Sequence, residues 1–490
     1  MASSVNRLRV LHVASEVAPF AQSGGLADVL AGLPAALAGH GLDTAVLVPL
    51  YRGVAERLAA HGIALDPGAP IALELAGTEL PAAVRIAQVG RVRHGFLDCP
   101  PLYDRPGGLY GPHAAGEFGD NHVRFAALGK AALPAGELLL GGAPEILHVH
   151  DWQGSAAAIY ARIAHAPSQI VTTIHNLAYR GIFPKAVMQE LGIPWSMFTT
   201  DLIEFYDQVS FLKAGLALAD VVTTVSPSYA REILTPERGE ALDGFLRWKV
   251  KRLVGIVNGI DTTAWDPATD RALPASYSRT QLAGKAVCRA QLAAQLGLPV
   301  ADHEPLIGAI ARMTDQKGLD LVAEIVPELA RLGARLIVLG EGEPTLEQRF
   351  RWLADVFRDH VAVRVGFDAD LARLIYAGCD LFAMPSRFEP CGLGQLYAMR
   401  YGTIPVVHAV GGLRDTVIDP GDAELARGRG TGIRFSPATP LALALALDRA
   451  ARLFRDDAIL GTIRRAAMAR DSSWTASAQQ YVQLYRSLVA

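Results

Sequence analysis

RLRVLHVA (residues 7–14) is followed by TAVLVPLY (44–51), EILHVHD (145–151), QIVTTIH (169–175) and VVTTVS (221–226), short Val-, Ile- and Leu-rich runs separated by longer helical stretches. Continuously apolar strands alternating with helices specify an α/β protein whose parallel sheet is covered on both faces. The pattern restarts with PLIGAIAR (305–312), RLIVLGEG (335–342), VAVRVGF (361–367), DLFAMPS (380–386) and PVVHAV (405–410), so the chain encodes two doubly wound sheets. The seam falls in VNGIDTTAWDPATD (257–270), where Gly259, Pro267 and a cluster of Asp and Thr interrupt the periodicity. Domains are therefore expected over 1–256 and 257–471. The closing SSWTASAQQYVQLYRSL (472–488) reads as a capped amphipathic helix with Trp474, Tyr481, Leu484 and Leu488 on one face. Such a face needs a partner, so 472–490 is expected to pack back on the N-terminal domain.

Composition narrows the function classes. The 490 residues are 51% hydrophobic, which excludes disorder, and 46 Lys+Arg against 49 Asp+Glu leave a net charge of -3, without the basic excess of a nucleic-acid binder. Cys99, Cys288, Cys379 and Cys391 are scattered without zinc or redox spacing, the pattern of reduced thiols in a cytoplasmic protein. MASSVNRLRVLHVASEV offers no leader signature, and no stretch approaches a membrane span, so no membrane partner is expected.

In open parallel sheets ligands bind beyond the carboxyl ends of the strands, where two such domains would face a shared cleft. After the first strand, Gln22-Ser23-Gly24-Gly25 precedes a helix; paired glycines there admit a phosphate to backbone N–H groups, or simply make a tight turn. No Gly-x-Gly-x-x-Gly is present, which disfavours a dehydrogenase. His148, His150 and Asp151 end one strand and His175 another. They suggest metal ligands, but His148 and His150 alternate with Val149 and at least one belongs to the interior, so Asp151 and His175 fit a sugar-hydroxyl network better. Arg312 and Lys317, just past a strand, suit a diphosphate leaving group without a metal; a solvated loop with Asp315 as a cap is the plainer reading. MPSRFEPCGLGQL (384–396) ends a strand and turns through Pro390 into a helix, whose first N–H groups at Gly392 and Leu393 suit an anion, with Glu389 facing the same place. Val410-Gly411-Gly412-Leu413 repeats the arrangement. Asp368-Ala369-Asp370 has the spacing of a metal-binding pair, yet directly precedes LARLIYAG and reads as a helix cap; no metal is assigned.

Taken in order, SGGLADVLAGLP, HVHDW, TTIHNLAYRGIF, VVTTVSPSYAREI, GIVNGIDTTAWDPATD, the Arg312–Lys317 pair, PSRFEPCGL and VGGLRDTV resemble the bacterial glycogen synthase and plant starch synthase family from about residue 8 to residue 485. The resemblance implies the GT-B fold and metal-independent, cofactor-free, retaining transfer of glucose from a nucleotide sugar, usually ADP-glucose, to the 4-hydroxyl of a glucan end, with glycogen or a maltooligosaccharide as acceptor. It implies donor-glucose contacts from Glu389, diphosphate contacts from Arg312 and Lys317, support of the anomeric centre near His175, and sugar-hydroxyl contacts near Asp151. Cys391, Gly392, Leu393, Gly411 and Gly412 match backbone donor contacts and Phe367 the aromatic stacked on adenine; Asn258 and the Gln22–Gly25 loop complete the donor set, and the seam at Asn258 to Asp261 is the hinge candidate for closure on the donor. Two departures stand out: Gln22 where the family has Lys, and Gly394 where it has a hydroxyl or amide residue. They keep open a synthase using UDP-glucose or another nucleotide sugar, and, from another class, a catalytically silent glucan-binding protein.

Overall fold

A computed structural model describes residues 7–75, 77–112 and 116–490; Met1–Asn6, the head of the segment read for a leader, lie outside the described residues. The chain divides into two compact units, Met1–Gly259 with Trp474–Ala490, and Ile260–Ser473. The chain crosses twice between them, at Gly259–Ile260 and Ser473–Trp474. The crossings are neighbours because Ile260 N donates to Ser472 O at 2.8 Å and Ile260 pairs with Ser473 as a parallel bridge.

The first unit holds a nine-stranded sheet in the order Leu253–Gly255, Val221–Thr224, Gln169–Ile174, Ile146–His150, Arg9–Val13, Asp43–Pro49, Val92–Asp98, Ala83–Val89, Ala69–Pro70. The first seven run parallel, and the last two are antiparallel additions. The apolar runs predict the parallel strands before Leu253 except Val92–Asp98. Val92–Asp98 and its antiparallel neighbour Ala83–Val89 escape that reading because Arg93 and His94, and Arg85 and Gln88, break their apolar runs. Arg9–Val13 is the reversal point: the chain moves to Asp43–Pro49 on one side, then returns to Ile146–His150 on the other. Splayed connections at such a point open a crevice at the carboxyl ends of the two central strands.

The second unit is a six-stranded parallel sheet in the order Val361–Val365, Arg335–Gly340, Leu306–Ile310, Leu381–Met384, Ile404–His408, Ile433–Phe435. Its reversal point lies between Leu306–Ile310 and Leu381–Met384, so the loops that follow these strands, bearing Arg312–Lys317 and Ser386–Leu393, are neighbours.

The C-terminal helix Trp474–Val489 belongs to the first unit, where Trp474, Tyr481, Leu484 and Tyr485 are buried in its core while Leu488 is only partly covered. Gly32, inside the helix Gly25–Gly39, makes room for it: a Cβ there would lie 2.0 Å from Trp474 Nε1. Alanine normally favours a helix interior over glycine by about 1 kcal/mol. At this position overpacking wins, at about 1–3 kcal/mol. Gly32→Ala is expected to lower the melting temperature by several degrees, as read by calorimetry; an unchanged or raised value refutes the seating of Trp474.

Candidate active site

Two groups of residues gather at the two reversal points. In the second unit, Lys317 Nζ donates to Glu389 Oε2 at 2.6 Å, and Ser386 Oγ donates to the same oxygen at 2.9 Å. The Glu389 side chain is 6% exposed and that of Lys317 20%, so the pair is shielded yet not sealed. Among the described residues no donor reaches Glu389 Oε1, and Arg312, which is exposed, has no ion-pair partner. Lys317 lies in a short 3-10 turn, Asp315–Lys317, whose N-cap is Thr314; Asp315 does not cap it.

The brace of this site is Arg387. Its guanidinium takes Asp320 with a two-pronged bond of 2.8 and 2.6 Å and donates to Asp315 O at 2.8 Å, while its backbone N donates to Gln316 O at 2.9 Å. The loop carrying Lys317 is thereby fastened to the loop carrying Glu389. Planar bidentate geometry is particular to arginine, so lysine cannot replace it.

The glycines expected at the donor site of the second unit differ in role. Gly392 adopts φ +73 and precedes the helix, which begins at Gly394 and not at Gly392 as its motif suggests. The N–H groups of Gly392 and Leu393 meet no acceptor among the described residues, so they remain available to an anion. Gly411 and Gly412 instead let two loops touch. A Cβ at Gly411 would lie 2.0 Å from Glu389 O and one at Gly412 2.1 Å from Cys391 O. Gly412 N already donates to Glu389 O and Pro390 O, both at 3.1 Å, which removes it from the expected donor contacts. Gln395, fully buried, ties the turn by donating to Cys391 O and Gly392 O. At Gly394 a Cβ would sit 3.2 Å from Phe382, so the space beside it is already narrow. Phe367 follows the edge strand and is 88% exposed. Asp368 caps its helix by accepting from Leu371 N at 2.9 Å, which accounts for the Asp-x-Asp.

In the first unit Asp151 has φ 52, a left-handed conformation that Asp and Asn tolerate better than most side chains. The turn aims its Oδ1 at His175 N, 2.7 Å away, and at Asn176 N, 3.4 Å away. Burial raises its carboxyl to about 7, against the pull of those two donors. His150 Nδ1 lies 3.0 Å from His175 Nε2, so Asp151, His150 and His175 form one assembly across two adjacent strand ends. Asn258, buried, lies one residue before the crossing at Gly259–Ile260, and its side chain has no hydrogen bond among the described residues.

The Gln22–Gly25 loop differs from expectation. The N–H groups of Ser23 and Gly24 are not presented to a ligand, because Glu16 takes them at 2.7 and 3.1 Å on Oε2, while its Oε1 accepts from Ser23 Oγ at 2.6 Å and from Tyr110 OH. Glu16 is 3% exposed and carries no motif that would have drawn notice to it. Gly25 N has no acceptor among the described residues, and Gln22 is exposed. His12, His148 and His150 hold ring nitrogens all within 4.8 Å of one another. Both nitrogens of His148 are engaged, Nδ1 by Tyr485 OH at 2.6 Å and Nε2 by Thr173 Oγ1 at 2.5 Å, so the cluster is built as a hydrogen-bond network.

Comparison with known proteins identifies the family that carries this fold. A model of the starch synthase catalytic domain matches residues 9–248, and one of group 1 glycosyl transferases matches residues 304–452. A glycogen synthase of Anaeromyxobacter dehalogenans (strain 2CP-1 / ATCC BAA-258) is 47% identical over 488 residues, covering 98% of this chain and 99% of that protein. One from Myxococcus xanthus (strain DK1622) is 45% identical over 493 residues, covering 99% and 100%. The catalytic domain of starch synthase IV from Arabidopsis thaliana, solved bound to ADP and acarbose, shares the fold with a TM-score of 0.88 at 32% identity, covering 98% of this chain and 99% of that one. Two Rossmann-like units with these relatives define a glycosyltransferase of the GT-B class. The chain belongs to the bacterial glycogen synthase and plant starch synthase family.

The raised carboxyl of Asp151 has a definite sign in stability. The folded state keeps a proton that the unfolded chain releases above the ordinary value of 3.8, so its contribution is full below that pH and is lost as pH rises through about 7. Asp151→Asn, which keeps the acceptor oxygen and the left-handed turn, should raise the melting temperature at pH ~8 by a few degrees and leave it unchanged near pH ~4. Equal melting curves at both pH values would show that the carboxyl is ionised without penalty.

Proposed function

We propose that this protein transfers glucose, with retention of α configuration and without a metal, from ADP-glucose to the 4-hydroxyl at the non-reducing end of an α-1,4-glucan such as glycogen. The observation that carries the reading is the Lys317–Glu389 pair at the reversal point of the second unit, with exposed Arg312 in the same loop as Lys317 and the open N–H groups of Gly392 and Leu393 beside Glu389. A lysine ammonium has three donors. One is held by Glu389, and the other two, with Arg312, neutralise the departing diphosphate as positive charge develops on the glucose. Glu389 Oε1 accepts hydroxyls of the donor glucose. The exposed ring of Phe367 offers its face to the adenine. In the first unit, His175 and Asp151 serve the sugar at the reacting carbon. Four buried, free cysteines accord with a reducing, cytoplasmic setting.

This reading predicts that ADP release from ADP-glucose depends on glycogen, exceeds UDP release from UDP-glucose, and is indifferent to a chelator. Faster turnover of UDP-glucose would reassign the donor, the outcome that Gln22 and Gly394 would explain. Glycogen binding without release of either diphosphate would make the chain a silent glucan-binding protein. Removing one preorganised donor to developing charge typically costs about 100-fold or more in turnover. Lys317→Ala should show a loss of that size in kcat, and near-normal turnover would refute the leaving-group role. Gln22→Lys restores the family's cation at an exposed position, where an ion pair contributes roughly 1 kcal/mol. It should lower the KM for ADP-glucose about fivefold; no change would show that Gln22 lies out of reach of the phosphates.

A further inference from the structure

Behind His175 runs a line of imidazoles. His175 Nε2 lies 3.0 Å from His150 Nδ1, and His150 Nε2 lies 3.1 Å from His12 Nδ1. His12 and His150 are 0% exposed, whereas His175 is partly exposed at the sheet's carboxyl edge. The far nitrogen, His12 Nε2, is buried and has no partner among the described residues. His148 covers the line, its ring centroid 4.2 Å from that of His150 and 4.9 Å from that of His12, and is itself locked by Tyr485 and Thr173. Burial holds His12 and His175 down to about 3 and keeps His150 well below its ordinary range, so the three rings are neutral and carry one proton each.

Proton counting then leaves two arrangements. Each nitrogen–nitrogen contact needs one proton, and each neutral ring supplies one. The third proton sits at one end of the line, on His12 Nε2 or on His175 Nδ1. The first choice buries an N–H with no acceptor, and orphaned buried N–H groups are rarer than unfilled lone pairs. The second leaves a bare nitrogen in the core and turns every N–H outward, from His12 to His150 to His175.

We propose that His12 and His150 are positioning residues that fix His175 as its Nδ1–H tautomer, so that the ring presents a neutral hydrogen-bond donor to an oxygen of the donor sugar. The contact with sugar rests on the function proposed above; the tautomer does not. An imidazole free in water can exchange its proton between the two nitrogens and charges near pH ~6.5. The buried line removes both freedoms. His175 thereby cannot act as a proton acceptor through Nδ1, and the charge at the reacting carbon is set by other groups.

The test is nitrogen-15 NMR of the full-length enzyme labelled at histidine, with His175 assigned from the signals lost in His175→Asn. The expected spectrum has Nδ1 of His175 protonated, Nε2 bare, and neither changing between pH ~5.5 and ~8. A protonated Nε2 in the wild-type enzyme overturns the proposal. Adding ADP-glucose should move the His175 Nδ1 signal. A fixed Nδ1–H tautomer that ignores ADP-glucose would overturn the presentation to sugar, and with it the placing of His175 in the proposed reaction, while the relay itself stands. His150→Leu removes the donor to His175 Nε2. It should release the tautomer preference and lower kcat about 10-fold with little change in the KM for ADP-glucose. A variant that melts earlier but keeps both the tautomer and kcat would assign His150 to packing alone and overturn the proposal.

Discussion

The bond between Lys317 and Glu389 depends on two strands being neighbours in space while lying far apart in sequence, and most of the second unit is arranged to permit it. The strand order reverses there, Arg387 fastens the two loops, Gln395 ties the turn, and Gly411 and Gly412 let the next loop close behind. An isolated ion pair with partial shielding contributes little to stability by itself, because desolvation offsets its attraction. Its value lies in geometry: it fixes a cation and a carboxylate within one hydrogen bond of each other, each with capacity left over for a ligand.

The first unit solves a related problem with a carboxylate of its own. Glu16 gathers Ser23, Gly24 and Tyr110, so the Gly-Gly loop is shaped before any ligand arrives. Its negative charge also acts on its surroundings. Asp28 is raised to about 6, first by burial and then by Glu16, and Glu16 adds to the burial that raises Asp151. Two carboxyl groups near one reversal point, Asp28 and Asp151, are thereby held toward their protonated forms.

What could be read in the sequence was what depends on periodicity or on a compact motif. Ile146–His150 and Leu381–Met384 were visible because strands buried on both faces stay apolar throughout, and Glu389 was visible within a dense run of Pro, Cys and Gly. Val92–Asp98 and Ala83–Val89 were not, because Arg93 and His94 in the one and Arg85 and Gln88 in the other interrupt the apolar signal. Glu16 and Arg387 were hidden for a different reason. Each acts through partners chosen by the fold, and the Asp320 that Arg387 holds is 67 positions away. His12 is an ordinary letter in a strand until the adjacent strand places His150 against it. Gly412 shows the converse: a glycine pair that looks made for phosphate is needed for loop contact.

The helix Trp474–Val489 follows the whole of the second unit in the chain, yet Tyr485 bonds His148 in the centre of the first unit. Domains commonly fold in order as they leave the ribosome, the N-terminal one first. Here connectivity withholds one helix of the N-terminal unit until the second unit has been made. The first unit emerges early without its closing helix, the whole of Ile260–Ser473 is made next, and only then does the piece arrive that fills the groove at Gly32. Until that helix is made, the nascent chain carries an unfilled apolar groove and a His148 nitrogen without its tyrosine, so the first unit is completed only after the second has been synthesised.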